Sequence, residues 1–228
     1  IGGGTSDFTV VRLGPDHAGK ADRNSDILAT GGVHIGGTDF DHRLNVEQVM
    51  PLLGYRHIGP SGREVPSSVF FDLSTWHLIQ WLYTQKAIAG ARGLRSDYTD
   101  QRMHQRLMQV IEEREGHRLA DAVEQAKIVA SSTHAAAPIG LDWLERDLGA
   151  QITPADLRSH LDALLQRVVQ CAQECLQRAG VRVPDAIYLT GGSSALTALR
   201  DALRVAFPDV QQVEGDLFGG VATGLAYA

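Results

Sequence analysis

The chain of 228 residues is 43% apolar and 21% charged, an ordinary globular composition with length for one large domain or two small ones around a sizeable core. Its 27 acidic and 21 basic residues leave a formal charge of −6, and no Lys/Arg block or basic stripe stands ready to neutralise a phosphate backbone, which argues against nucleic acid as a partner. No window reaches the roughly 18 to 20 consecutive apolar residues of a membrane span, and no cleavable signal-like start is present, so a cytoplasmic protein away from the membrane is expected.

In chain order, Ile1 to Asp7 has no initiator Met and opens in what reads as the middle of a strand and turn, so the chain is expected to be a fragment. Phe8 to Leu13 and Asp26 to Thr30 are β-rich and predict an antiparallel pair, joined by the polar stretch Gly14 to Ser25. Gly31-Gly32 and Gly36-Gly37 punctuate the chain before a helix begins at Asp39. From Ser74 to Ala130 the apolar spacing is helical, with Ser96-Asp97 its clearest break; Ser131 to Ile152 reads as a hairpin. Thr153-Pro154-Ala155-Asp156 supplies an N-cap, a first-turn proline and a first-turn acid, which predicts a long helix to about Ala179. Asp185 to Thr190 is a short strand of the buried type that runs into Gly191-Gly192-Ser193-Ser194 and a helix to about Phe207. Cys171 and Cys175, four apart on one helical face, are expected to be reduced thiols, partly buried. Trp76, Trp81 and Tyr83 read first as packing residues and second as a partner surface.

Gly2-Gly3-Gly4-Thr5, followed by Asp7, can aim several backbone N–H groups at one anion, with the Thr5 hydroxyl as a further donor. A flexible hairpin turn is the other reading. Asp7 would repel a phosphate unless a cation lies between them or the carboxylate bonds to the turn itself. Gly36-Gly37-Thr38-Asp39-Phe40-Asp41 combines close-approach glycines with acids suited to a helix start, and Asp39 and Asp41 are expected to be cap residues. Gly191-Gly192-Ser193 after a strand fits a phosphate or sugar cradle, or tight packing of strand on helix.

Taken in order, these segments resemble the ATPase domain of the DnaK-type heat-shock chaperones, the heat-shock-protein-70 family. Its Gly-Gly-Gly-Thr-x-Asp loop is matched by Gly2 to Asp7, its Gly-x-x-His-aliphatic-Gly-Gly-x-Asp-Phe-Asp landmark by Gly31 to Asp41 including His34 and Phe40, and its Gly-Gly-Ser adenosine motif by Gly191, Gly192 and Ser193. A further motif, Glu-x-Ala-Lys-x-x-x-Ser, is matched by Glu124 to Ser131, whose positions i, i+3 and i+7 share a helix face. The closing stretch from Asp216 to Ala226 is similar to the last helix of that domain, as in the shortened YegD-type members.

The resemblance implies an α/β fold: lobe II of the actin-like ATPase (ribonuclease H-like) architecture. Residues 1–55 and 153–228 would form an α/β subdomain, residues 56–152 an inserted, mostly helical one, and the N-terminal lobe I would be absent. It implies ATP or ADP held by Gly2, Gly3, Gly4 and Thr5 at the β and γ phosphates, with Gly36 and Gly37 also binding the cofactor. Glu124, Lys127, Ser131, Gly191, Gly192, Ser193 and Asp216 would lie at the adenosine. Mg²⁺ would be held mainly through lobe I, with Asp7 a metal ligand and a monovalent cation as a further ligand. Partners would be nucleotide, lobe I, and protein clients or co-chaperones. Alone, the chain is expected to hydrolyse nothing, since half a cleft cannot neutralise phosphoryl transfer. The two arginines that clamp adenine in the family are replaced by Ile128 and Ala195, which predicts weaker hold on the base. The alternatives are a sugar or acetate kinase of the same superfamily and a degenerate scaffold that hydrolyses nothing.

Overall fold

The computed structural model describes residues 1–18 and 24–215. Asp216 and the expected closing helix lie outside the described residues. β1 (Ser6–Val11) and β2 (Ile27–Val33) pair antiparallel, with Ser6 opposite Val33 and Thr9 opposite Thr30. β2 runs three residues beyond the expected end because Gly31 and Gly32 stay in the ladder, opposite Phe8 and Asp7. The short α1 (Pro15–Ala18) stands in their connection.

α2 (Gly37–Gln48) begins two residues before Asp39. Asp39 is a cap, as expected, and its carboxylate accepts the Gly36 N–H at 2.8 Å. Asp41 is not a cap: it lies a full turn inside α2, too far along to reach the free N–H groups.

The long helical stretch resolves into α3 (Ser68–Ser74), a 3-10 turn over Ile79–Tyr83, α4 (Gln85–Gly93), a 3-10 turn over Leu94–Asp97, α5 (Gln101–Glu112) and α6 (Gly116–Thr133). Thr84 caps α4 and Asp100 caps α5 through side-chain bonds to Ala87 and Arg102 N–H groups. The break before α6 falls at Arg114, whose φ of 59° leaves the helical region.

β3 (Ala137–Gly140) and β4 (Gly149–Ile152) form the expected hairpin, which starts later than Ser131 because α6 carries that residue. α7 (Pro154–Arg178) is capped as its sequence predicts. The Thr153 hydroxyl accepts the Asp156 N–H at 3.1 Å and donates to the Asp156 carboxylate at 2.7 Å. Its buried positions Leu157, Leu161, Leu165, Val168, Ala172 and Cys175 recur at helical spacing.

β5 (Ala186–Leu189) is followed by a 3-10 turn over Gly192–Ala195, then α8 (Thr197–Ala206) and β6 (Gln211–Glu214). β6 lies parallel to β5, so the segment is a β-α-β crossover. The Gly-Gly-Ser segment is thus a turn of its own, not the first turn of the helix, because Gly191 adopts a φ of 87° and Leu196 is extended.

The chain divides into two compact units, one made of Ile1–Asp39 and the described residues after Leu161, the other of Phe40–Leu161. The first buries Leu165 and Val168 of α7 with Leu189, Leu199 and Leu203. The second is centred on Phe40, Leu44, Phe70, Leu107, Ile111 and Leu119. Cys171 and Cys175 are free thiols, and burial pushes the Cys171 thiol up. Trp76 and Trp81 are 55% and 63% exposed, so neither is mainly a packing residue. Trp81 lies on the outer side of a segment whose buried residues are Ile79 and Leu82. Among the described residues no helix is long and apolar enough to cross a membrane.

Candidate functional site

The first unit brings three glycine segments together from opposite ends of the chain. Gly37 N–H donates to the Gly2 carbonyl at 3.0 Å and Thr38 N–H to the Gly3 carbonyl at 2.8 Å. The Thr38 hydroxyl donates to the same Gly3 oxygen. From the other end, the Ser193 hydroxyl donates to the Gly2 carbonyl at 3.0 Å, and the Ile1 amino group to the Thr190 carbonyl at 2.7 Å.

These approaches explain some of the glycines. A Cβ on Gly36 would stand 2.6 Å from the Gly3 carbonyl carbon and oxygen, and one on Gly37 2.6 Å from Ser193 Oγ. A Cβ on Gly191 would strike the Ile1 carbonyl, and its φ of 87° is glycine territory.

Gly3 and Gly4 differ. Neither takes a left-handed φ, and a Cβ on either would meet nothing within 4 Å. Both are exposed, so their missing side chains leave open surface over the loop. Among the described residues the N–H groups of Gly3, Gly4 and Thr5 have no acceptor, while Gly2 N–H bonds to the Thr5 carbonyl at 2.9 Å and closes the turn. Among the described residues three adjacent donors thus stand unpaired in a loop braced by Gly37, Thr38 and Ser193.

The Thr5 hydroxyl donates to the Asp7 carboxylate at 2.8 Å, and Asp7 lies over Gly32. Asp7 therefore makes the bond to the turn that its sequence allowed. Among the described residues no cluster of three or more His, Cys, Asp or Glu could hold a metal by itself. Sequence reading missed Arg200, which braces the Gly-Gly-Ser turn: its Nε donates to the Ser194 carbonyl at 2.8 Å while its Nη1 pairs with Glu214. The side-chain amide of Gln212 donates to the Arg200 carbonyl at 3.0 Å.

In the second unit, α6 carries Glu124, Lys127 and Ser131. Glu124 is exposed, whereas Lys127 and Ser131 are buried, so the solvated charged face that spacing allowed is not what forms. Lys127 is 9% exposed, and its ammonium meets the Asp41 carboxylate of α2 at 2.8 Å. Burial raises the Asp41 carboxyl from 3.8 to about 6; Lys127 opposes that rise and Glu124 adds to it. The following residue, Ile128, is 48% exposed, and Ala195 in the first unit is exposed as well.

The sequence profile of the family described as Hsp70 protein matches residues 97–226, more than half of the chain. That match takes in α6 with Glu124, Lys127 and Ser131, and the segment holding Gly191, Gly192 and Ser193. The chain belongs to the Hsp70 family.

Proposed function

We propose that the chain is the nucleotide-binding lobe II of an actin-like chaperone ATPase domain, and that the Gly2–Thr5 loop takes the phosphates of ATP or ADP. One observation carries this reading: three glycine segments converge and, among the described residues, leave the N–H groups of Gly3, Gly4 and Thr5 without acceptors beside open space at Gly3 and Gly4. A row of unpaired donors suits the terminal phosphates, whose charge needs several hydrogen bonds at once. Gly191, Gly192 and Ser193, and separately Glu124, Lys127 and Ser131 on α6, are assigned to the nucleoside.

Hsp70 proteins as a family bind nucleotide and Mg²⁺. The residues present fit a phosphate better than a bare cation, since Asp7 is a single carboxylate tied to Thr5. Mg²⁺ supplies charge neutralisation to bound phosphates; Asp7 is assigned to a cation carried with them, either Mg²⁺ or a monovalent ion. The division of roles into an α/β subdomain and a helical insertion, a cytoplasmic location, and clients or co-chaperones as partners belong to the same reading. So does the lack of turnover without an N-terminal lobe. The kinase alternative is not favoured, because the family match falls on the chaperone branch.

Calorimetric titration of the chain with Mg-ATP, inorganic triphosphate and a hexose tests the reading. ATP and triphosphate are expected to bind and the hexose not. Binding of the hexose alone would overturn it. Gly192→Val is expected to weaken ATP and to leave triphosphate unchanged.

A further inference from the structure

Asp41 is charged where the fold disfavours charge. Its side chain is 18% exposed and Lys127 is its ion-pair partner at 2.8 Å, with the Lys127 side chain 11% exposed. The ionisable groups that shift it are Lys127 and Glu124, both on α6, and the second of these has the wrong sign to help. His42 and Arg43 follow it on α2; His42 Nδ1 faces the hydroxyls of Ser74 and Thr75, and Arg43 pairs with Glu47. One turn along α2, Asn45 is 1% exposed and its Oδ1 has no partner among the described residues.

This arrangement has one effect on the lysine. An ammonium on a four-carbon stem is mobile unless something fixes it, and a buried carboxylate at hydrogen-bond distance does so. With Asp41 charged, Lys127 is held at that carboxylate. With Asp41 neutral, the ion pair that fixes the ammonium is lost and Lys127 regains the freedom of its stem.

We propose that Asp41 is the positioning residue for Lys127: its carboxylate holds the ammonium where α6 meets a nucleoside, and protonation of Asp41 withdraws that donor and weakens nucleoside binding. The proposal rests on the nucleotide reading and gives that site a dependence on pH.

The test uses adenosine, because ATP carries phosphates that titrate near pH ~6 themselves. Adenosine affinity of the purified chain is followed by NMR titration from pH 7.5 to pH 5, with inorganic triphosphate as the probe of the Gly2–Thr5 loop. Loss of one charge-assisted hydrogen bond predicts an affinity about tenfold lower at the acid end. Asp41→Asn is expected to bind adenosine about tenfold more weakly at pH 7.5 with a flat pH profile, and Asp41→Glu to restore both affinity and slope. Triphosphate should bind wild type and Asp41→Asn alike. A wild-type profile without a slope, or an unchanged slope in a folded Asp41→Asn protein, overturns the positioning role while the nucleotide reading stands. Failure of adenosine, ATP and triphosphate to bind at any pH overturns the nucleotide reading and the proposal with it.

Discussion

Thr38 donates both its backbone N–H and its hydroxyl to the carbonyl oxygen of Gly3, each at 2.8 Å. That oxygen belongs to the loop whose Gly3, Gly4 and Thr5 N–H groups have no acceptor among the described residues, so the two hydrogen bonds fix the backbone that carries those donors. Thr38→Val keeps the shape and removes the hydroxyl. The expected outcome is a loss of about 1 kcal/mol in stability, the usual worth of one such bond, and weaker triphosphate binding by calorimetry.

Gly36 and Gly4 should respond in opposite ways to the same change. Gly36→Ala places a methyl against backbone at 2.6 Å, and main chain cannot turn aside as a side chain would. Its thermal unfolding midpoint is expected to fall, by a loss of about 2 kcal/mol or more. Gly4→Ala meets open space, so its stability should stay within about 1 kcal/mol of wild type. If phosphate approaches that surface, Gly4→Ala weakens ATP without unfolding anything. Equal ATP affinity in wild type and Gly4→Ala would move the ligand elsewhere.

Asp41 and Lys127 give a stability signature with a definite sign. The folded protein keeps the Asp41 proton up to about pH 6, whereas the ordinary value is 3.8. Its contribution to stability is therefore complete below about pH 4 and is lost as pH rises through 6. An uncharged isostere removes that loss. Asp41→Asn is expected to match wild type near pH 4 and to exceed it at pH 7.5, by on the order of 2 kcal/mol in denaturant unfolding. Lys127→Met does the reverse at pH 7.5, since it strands a buried carboxylate, and its deficit should shrink on acidification. A variant that gains stability and loses nucleoside affinity would separate the two roles of Asp41.

Two of the three tryptophans should behave as solvent-exposed indoles. Acrylamide is expected to quench most of the emission, and Trp76→Phe with Trp81→Phe to change stability by no more than about 0.5 kcal/mol each. The Trp76 ring lies edge-on to His117 with centroids 4.6 Å apart, so His117→Ala should alter the Trp76 contribution to the spectrum.

Local chemistry was legible in the sequence, and distance was not. The Thr153-Pro154 cap, the β1–β2 ladder and the β3–β4 hairpin follow from rules that act within a few residues. β6 escaped notice because Gln211-Gln212-Val213-Glu214 has little β character of its own and is a strand through its pairing with β5. The break at Arg114 was hidden in a continuous helical pattern. At the site, motif order picked out the glycine segments, but nothing local shows that Ser193 bonds to Gly2 or that Arg200 holds the turn beside it. Asp41 looked like a cap because it follows a helix start, and its partner lies 86 positions away, at Lys127.

The bonds from Ile1 to Thr190 and from Ser193 to Gly2 span 189 and 191 residues. Contacts so distant along the chain close large loops and form late, whereas Phe40–Leu161 is one unbroken segment that makes a compact unit. During synthesis that segment can reach its fold before strand β5 and the turn after it arrive to brace the Gly2–Thr5 loop. Until Ser193 has been made, the Gly2–Thr5 loop lacks one of the bonds that brace it.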